Sequence, residues 1–170
     1  MCIRDSRWPG EPFVVATDAR ATRTTRADIA DGGSLMLRDT LVLGRHGEAG
    51  GELVARTDIS HAGRPALVEE FRLAADDDAP GIRGGRRVVD QVTTLGAAAI
   101  LQPAPRAVTR ADAAKPAAAA PGTARPGTTM LGSAPVGHDL PVGVTRLDLV
   151  APGRIERWLG DDAHLSPLRS

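Results

Sequence analysis

The chain has 170 residues, with 21 basic and 21 acidic side chains and a formal net charge of zero at pH 7. That length holds one domain with a real core, and the balanced charge excludes a global field that would gather nucleic acid or anionic lipid. Aromatic residues are confined to Trp8, Phe13, Phe71 and Trp158, too few for the base-stacking platforms of single-strand binders. No apolar run reaches the ~20 residues of a membrane span, so a cytoplasmic protein is expected.

Cys2, the only cysteine, lies in "MCIRDS" at residues 1–6, which matches the translation of a sequencing-adapter end. Read as an adapter scar, residues 1–6 are set aside from the fold, and the natural N-terminus is expected to be missing. Disulfide, thiolate and zinc-finger chemistry then fall away with Cys2. Of the 21 basic residues only Lys115 is lysine, a skew that suggests a GC-rich genome.

From Phe13 to Leu101 short apolar or alternating runs are separated by turn signals. Phe13–Ala16, Thr22–Ile29, Ser34–Leu43, Glu52–Ser60, Ala66–Leu73, Arg87–Thr93 and Ala97–Leu101 read as strands. Asp31-Gly32-Gly33, Gly44–Gly51, Ala62–Pro65 and Asp76–Gly85 are the joints between them. Regular spacing with Gly, Asp and Pro at the joints predicts an all-β fold of predominantly antiparallel strands. No helical pattern alternates with the strands, so βαβ units are disfavoured. Residues 7–102 form this β domain, and 103–129, rich in Ala and Pro, read as a linker or loop. Residues 130–170 hold a last run, Val142–Leu159, which Pro152-Gly153 divides into a strand and a short C-terminal helix.

Within "SLMLRDTLVLGRHGE", Leu35, Leu37, Leu41 and Leu43 share one strand face because side chains alternate with period two. Asp39 sits among them on that face. The stretch ends in Arg45-His46-Gly47-Glu48, the tetrapeptide that opens a histidine-phosphatase active site, with His as nucleophile and Arg as phosphate clamp. That chemistry needs a second His, further Arg clamps and a nucleophile loop that enters a helix. Here Ala49-Gly50-Gly51-Glu52 and another strand follow. A glycine-rich turn with solvated charges is the better reading of the tetrapeptide.

"PALVEEFRL" repeats the oddity of Asp39: Leu67, Glu69, Phe71 and Leu73 share one face. Burying a lone ionised carboxylate costs several kcal/mol, so Asp39 and Glu69 must each be paired, hydrated or neutralised. An internal ion pair with one of the many arginines is one outcome. A hydrated interior passage suited to a divalent cation is the other.

The segment Gly32–Leu53, "GGSLMLRDTLVLGRHGEAGGEL", resembles the UreD family of urease accessory proteins, which share an apolar strand with an acidic residue, then Leu-Gly-Arg and Gly-Glu. Gly44, Arg45, Gly51 and Glu52 carry that match. Upstream, Trp8, Glu11 and Pro12 resemble the family's Trp-x-Pro-Glu-Pro-x-Ile segment, with a shifted proline. Downstream, Gly63–Leu73 and Gly84–Gly96 resemble its Gly-x-Pro-Leu-x-x-Glu and Gly-Thr-Leu strands. The likeness runs from Trp8 to Leu101 and is thin after Gln102, with the N-terminal third of the family pattern missing.

The resemblance implies a non-enzymatic protein with a largely β, helical-sheet arrangement. It would work with UreF, the GTPase UreG and the urease apoprotein in nickel insertion, with no tightly bound cofactor and nickel in transit. It also implies that Asp39 and Glu69 line a nickel channel, and that His46 is a turn residue. A histidine-phosphatase-like enzyme centred on Arg45-His46-Gly47-Glu48 is the alternative from another class, and a β-sandwich binding module a third.

Overall fold

The computed structural model describes residues 3–77, 83–96 and 143–168. Its strands are β1 (Ile3–Pro9), β2 (Phe13–Val15), β3 (Arg20–Leu43), β4 (Glu52–His61), β5 (Arg64–Ala74), β6 (Val88–Leu95), β7 (Val144–Asp148) and β8 (Gly153–Gly160). A 3₁₀ turn at Ala163–Leu165 is the only helical element among the described residues.

β3 cannot be straight. Drawn out at about 3.3 Å per residue, its 24 residues would span roughly 80 Å. Yet Glu52 is the register partner of Arg20 at the far end of β3, and only residues 44–51 connect it to Leu43. Eight residues reach at most about 27 Å, so β3 must curl back on itself. It does so as a coil. Ile3 pairs with Ile29, Phe13 with Leu41 and Arg20 with Glu52, all in parallel. Each pair joins points roughly one circuit apart in the chain, so β1, β2 and the first half of β3 form one circuit, and the second half of β3 and β4 form the next. The corners are stitched by Gly44 N–H to Val15 O at 2.7 Å and Glu52 N–H to Ala19 O at 2.8 Å.

The second circuit is then extended by antiparallel strands. β5 returns along β4 through a two-residue turn in which Ala62 and Gly63 both have positive φ, the geometry that matches a hairpin's twist. β6 runs back along Ser34–Leu43, and β8 and β7 follow in order. Four of the seven pairings among the described residues are antiparallel and three are parallel. The all-β, predominantly antiparallel expectation stands, in a curled mixed sheet.

Several elements differ from the sequence reading. Thr22–Ile29 and Ser34–Leu43 are one strand, because Asp31-Gly32-Gly33 bends the ribbon without reversing it. Gly32 takes φ +70°, and the register against β1 jumps there, between Ile3 and Asp5. β1 includes residues set aside as an adapter scar; backbone pairing to β3 asks little of side-chain identity. Ile155, Trp158 and Leu159 have helical i, i+3, i+4 spacing, but they lie in β8. Pairing with β6 overrides the local pattern and sends Ile155 and Leu159 to one face and Trp158 to the other. The short C-terminal helix is the 3₁₀ turn beyond β8. Ala97–Leu101 and the segment 103–129 lie outside the described residues.

Apart from the Asp31–Gly33 bend, odd-numbered side chains of β3 and β4 point into the coil, where two apolar clusters form. One contains Leu41, Leu43, Leu53, Leu73 and Val89, and the other Ile29, Leu35, Leu37, Ile59 and Leu95. Each fully buried Leu or Ile contributes about 1.5–3 kcal/mol.

The corner at Gly51 is tight for a steric reason: a Cβ there would stand 2.1 Å from Ala19 O and 2.6 Å from Ala16 O. Gly47 has open space but φ +80°. Gly51→Ala is expected to cost about 1–3 kcal/mol by forcing the stacked corners apart, and Gly47→Ala about 1–2 kcal/mol from left-handed strain alone. Urea unfolding should therefore rank Gly51→Ala as the less stable, with lower unfolding cooperativity if the corner opens.

Candidate functional site

Between the two apolar clusters the interior turns polar, and the register explains why. On one limb Thr25, Thr57 and Glu69 are successive partners across β3, β4 and β5; on the other, Asp39, Gln91 and Arg157 are partners across β3, β6 and β8. These two rows face each other across the coil and are tied together by hydrogen bonds. Gln91 Nε2 donates to Glu69 Oε2 at 3.0 Å, and Arg157 Nε donates to Gln91 Oε1 at 2.8 Å. Arg157 Nη2 donates to Glu69 Oε1. One residue row away, Arg23 Nη1 meets Asp39 Oδ1 at 2.7 Å.

Each guanidinium lies over an aromatic ring, Arg23 5.3 Å from the centroid of Phe13 and Arg157 4.6 Å from that of Phe71. These are the chain's only two phenylalanines. A planar cation on a ring face, with a carboxylate at its edge, is held on two sides. The layer is not dry: the side chains of Arg23, Asp39, Arg157 and Glu69 are 23, 15, 20 and 19 % exposed. Burial nevertheless pushes the Asp39 carboxyl above its ordinary range; Arg23 opposes this shift and Asp90 reinforces it.

Both carboxylates singled out in the sequence thus stand in the interior, Asp39 paired with Arg23 from the other half of the coiled β3 and Glu69 with Arg157 of β8. Arg23, Gln91 and Arg157 are the members that the sequence reading did not single out. Their common signal is a polar residue at an inward position of a strand, visible once the register is known.

The Arg45-His46-Gly47-Glu48 tetrapeptide is a turn. Glu48 N–H donates to Arg45 O at 3.0 Å with positive φ at Gly47, as a type II turn requires. Arg45 and His46 face solvent, and Glu48 Oε2 accepts from Arg45 N–H at 3.2 Å. Arg87 fastens the turn's entry by donating to the carbonyls of Leu43, Gly44 and Arg45. β4 follows, not a helix, so the glycine-rich turn is what forms.

The remaining motif residues divide between the β1–β2 edge beside Leu37–Leu41 and the Gly44–Gly51 turn. Trp8 is more than half exposed on β1, Glu11 and Pro12 are exposed between β1 and β2, Gly44 and Gly51 shape the turn, and Glu52 pairs with Arg20 at 3.3 Å. Among the described residues no group of three His, Cys, Asp or Glu side chains could hold a metal ion.

A further carboxylate was invisible to the sequence reading. Asp90 is wholly buried on the opposite face of the sheet from Gln91. It accepts from Arg38 Nε at 3.1 Å and Nη2 at 2.7 Å, from Thr40 Oγ1 at 2.7 Å, and from Ser166 Oγ. Arg83, also buried, donates to the carbonyls of Ala74, Ala75, Asp77 and Arg86, holding the chain between β5 and β6.

The family model described as UreD urease accessory protein matches residues 6–166. The chain belongs to the UreD family. A relative named urease accessory protein UreD 1, from Streptomyces griseus, is 43 % identical over 113 residues, covering 65 % of this chain and 43 % of that protein. UreD 3 of the same organism is 36 % identical over 89 residues, covering 50 % of this chain and 35 % of that protein. The UreD of a Parafrankia strain is 34 % identical over 123 residues, covering 58 % and 41 %. The chain spans less than half the length of these curated relatives.

Two measurements test this description. Because the folded pKa of Asp39 is raised, its protonation favours the native state. Its contribution is fully present below the unfolded value near pH 4 and is lost as pH rises through the folded value. Denaturation curves are expected to show wild type gaining stability relative to Asp39→Asn as pH is lowered from 7 towards 4. In an assay with a chromogenic phosphomonoester, wild type and His46→Ala are expected to be equally inert. Turnover lost in the variant would contradict the turn assignment.

Proposed function

We propose that this UreD-family chain is a non-catalytic urease accessory protein that helps carry Ni²⁺ to the urease apoprotein, acting with UreF and UreG in the cytoplasm. Family membership over nearly the whole chain is the observation that carries the reading. No helix among the described residues is long and apolar enough to cross a membrane.

The interior polar layer supports the finer reading. Two carboxylates, a carboxamide and threonine hydroxyls are the oxygen donors that a hydrated divalent cation tolerates in passing, and side-chain exposure near 20 % leaves room for water. Each carboxylate is also matched by a guanidinium, so the layer is close to neutral. A neutralised carboxylate attracts a cation without binding it tightly, which suits cargo that must move on. Nickel is cargo in this scheme and not a resident cofactor.

The test is substitution in the complete accessory complex. Asp39→Asn and Glu69→Gln keep side-chain shape and remove charge. Pull-down with UreF and urease is expected to be unchanged, while nickel per urease active site falls severalfold. Normal nickel content with either variant would assign that carboxylate to its ion pair alone. Loss of the complex would assign the layer to scaffolding.

A further inference from the structure

Asp90 lies on the opposite sheet face from the proposed passage, and it is the most completely buried charge of the sheet, at 0 % exposure with four hydrogen bonds. One bond comes from outside the sheet, from Ser166. We propose that residues 161–168 form a strap that opens and closes over the outer face of β3, β6 and β8 while the sheet stays folded, with the Ser166–Asp90 hydrogen bond as its latch.

The strap is fastened at few points. Its beginning is held by Arg86 and Asp161, a surface ion pair at 2.5 Å with both side chains more than half exposed. The 3₁₀ turn that follows buries no residue, and Leu165 is exposed. Its backbone bonds are local, Leu165 N–H to Asp162 O at 3.0 Å and Ser166 N–H to Ala163 O at 3.3 Å. Among the described residues the strap joins no ladder of the sheet. Only Ser166 and Leu168 are buried, Leu168 packing against Met36 and Val92. Segments with few buried contacts and no ladder open below the global unfolding threshold.

Opening leaves no charge stranded. Without Ser166, Asp90 keeps both bonds from Arg38 and the one from Thr40. A carboxylate losing its last partner would resist exposure far more strongly; this one loses one bond of four. Closing is also prepared in advance. Pro167 restricts the preceding residue to extended conformations, and Ser166 has φ −64° and ψ 126°. The hydroxyl also accepts Leu168 N–H at 3.1 Å, so hook and apolar anchor are set as one piece. The open state uncovers a strip with Met36 and Val92 beside a carboxylate acceptor.

Hydrogen exchange on the full chain, read residue by residue, tests the strap. In wild type the amides of Leu165, Ser166 and Leu168 are expected to exchange at least tenfold faster than those of β6. Ser166→Ala should accelerate these strap amides by a further tenfold or so, with β6 exchange and the urea midpoint unchanged. Leu168→Ala should do the same without touching Asp90. If strap and β6 amides exchange together in wild type, or move together in the variants, the strap belongs to the global fold and the proposal fails. Unchanged strap exchange in Ser166→Ala would remove Asp90 as the latch.

Discussion

The architecture depends on the reach of residues 44–51. Because so short a connection must return the chain to Arg20, β3 coils, and coiling is what encloses an interior. The same strand then serves two sets of neighbours. Its first half pairs with β4, and its second half lies between β1 and β2 on one edge and β6 on the other. Parallel pairing without crossover helices is uncommon in a small domain. Here the circuit of the coil itself supplies the crossover. The Gly44, Gly50 and Gly51 corners allow it by letting backbone approach backbone.

Inside the coil, a polar layer between two apolar clusters sets a balance. Arginine pairs of this kind contribute little net stability, since desolvation offsets most of the attraction, but loss of one partner is costly. The clusters provide the driving force and the layer fixes the register, because a slip of β6 against β3 would separate Asp39 from Gln91 and strand Glu69. Arginine suits these tasks in a way lysine does not. A planar fork allows Arg38 to bind both oxygens of Asp90, and Arg83 and Arg87 to gather several carbonyls each. The composition that reads as genomic bias is put to structural use throughout.

What was legible in the sequence were the strands whose alternation is clean: Glu52–Ser60, Ala66–Leu73 and Ser34–Leu43 appear nearly as read. Asp39 and Glu69 were legible as intruders on apolar faces because alternation assigns a face without knowledge of partners. Their arginines were not, since Arg23 and Arg157 lie 16 and 88 residues away from them and only the register brings them near. Asp90 was illegible for a different reason. Every residue of β6 is buried, so the strand shows no alternation, and nothing marks which face its polar residues occupy. β8 was misread because three apolar residues can satisfy a helical spacing and a pleated sheet equally well.

The alternation that separates the interior of β3 from its outer face also constrains how its gene can change length. One codon added within Ser34–Leu43 would turn the downstream strand over, sending leucines outward and exchanging the settings of Asp39 and Thr40. Two codons would restore the faces but slide the strand past β1, β2 and β6 at once, breaking three registers. Only the corners can absorb such changes. At the exposed tip of the Gly44–Gly51 turn, around His46 and Gly47, added residues would project into solvent. Variation in length among functional versions of this fold should therefore collect at the corners, leaving the strands of the coil nearly fixed in residue count.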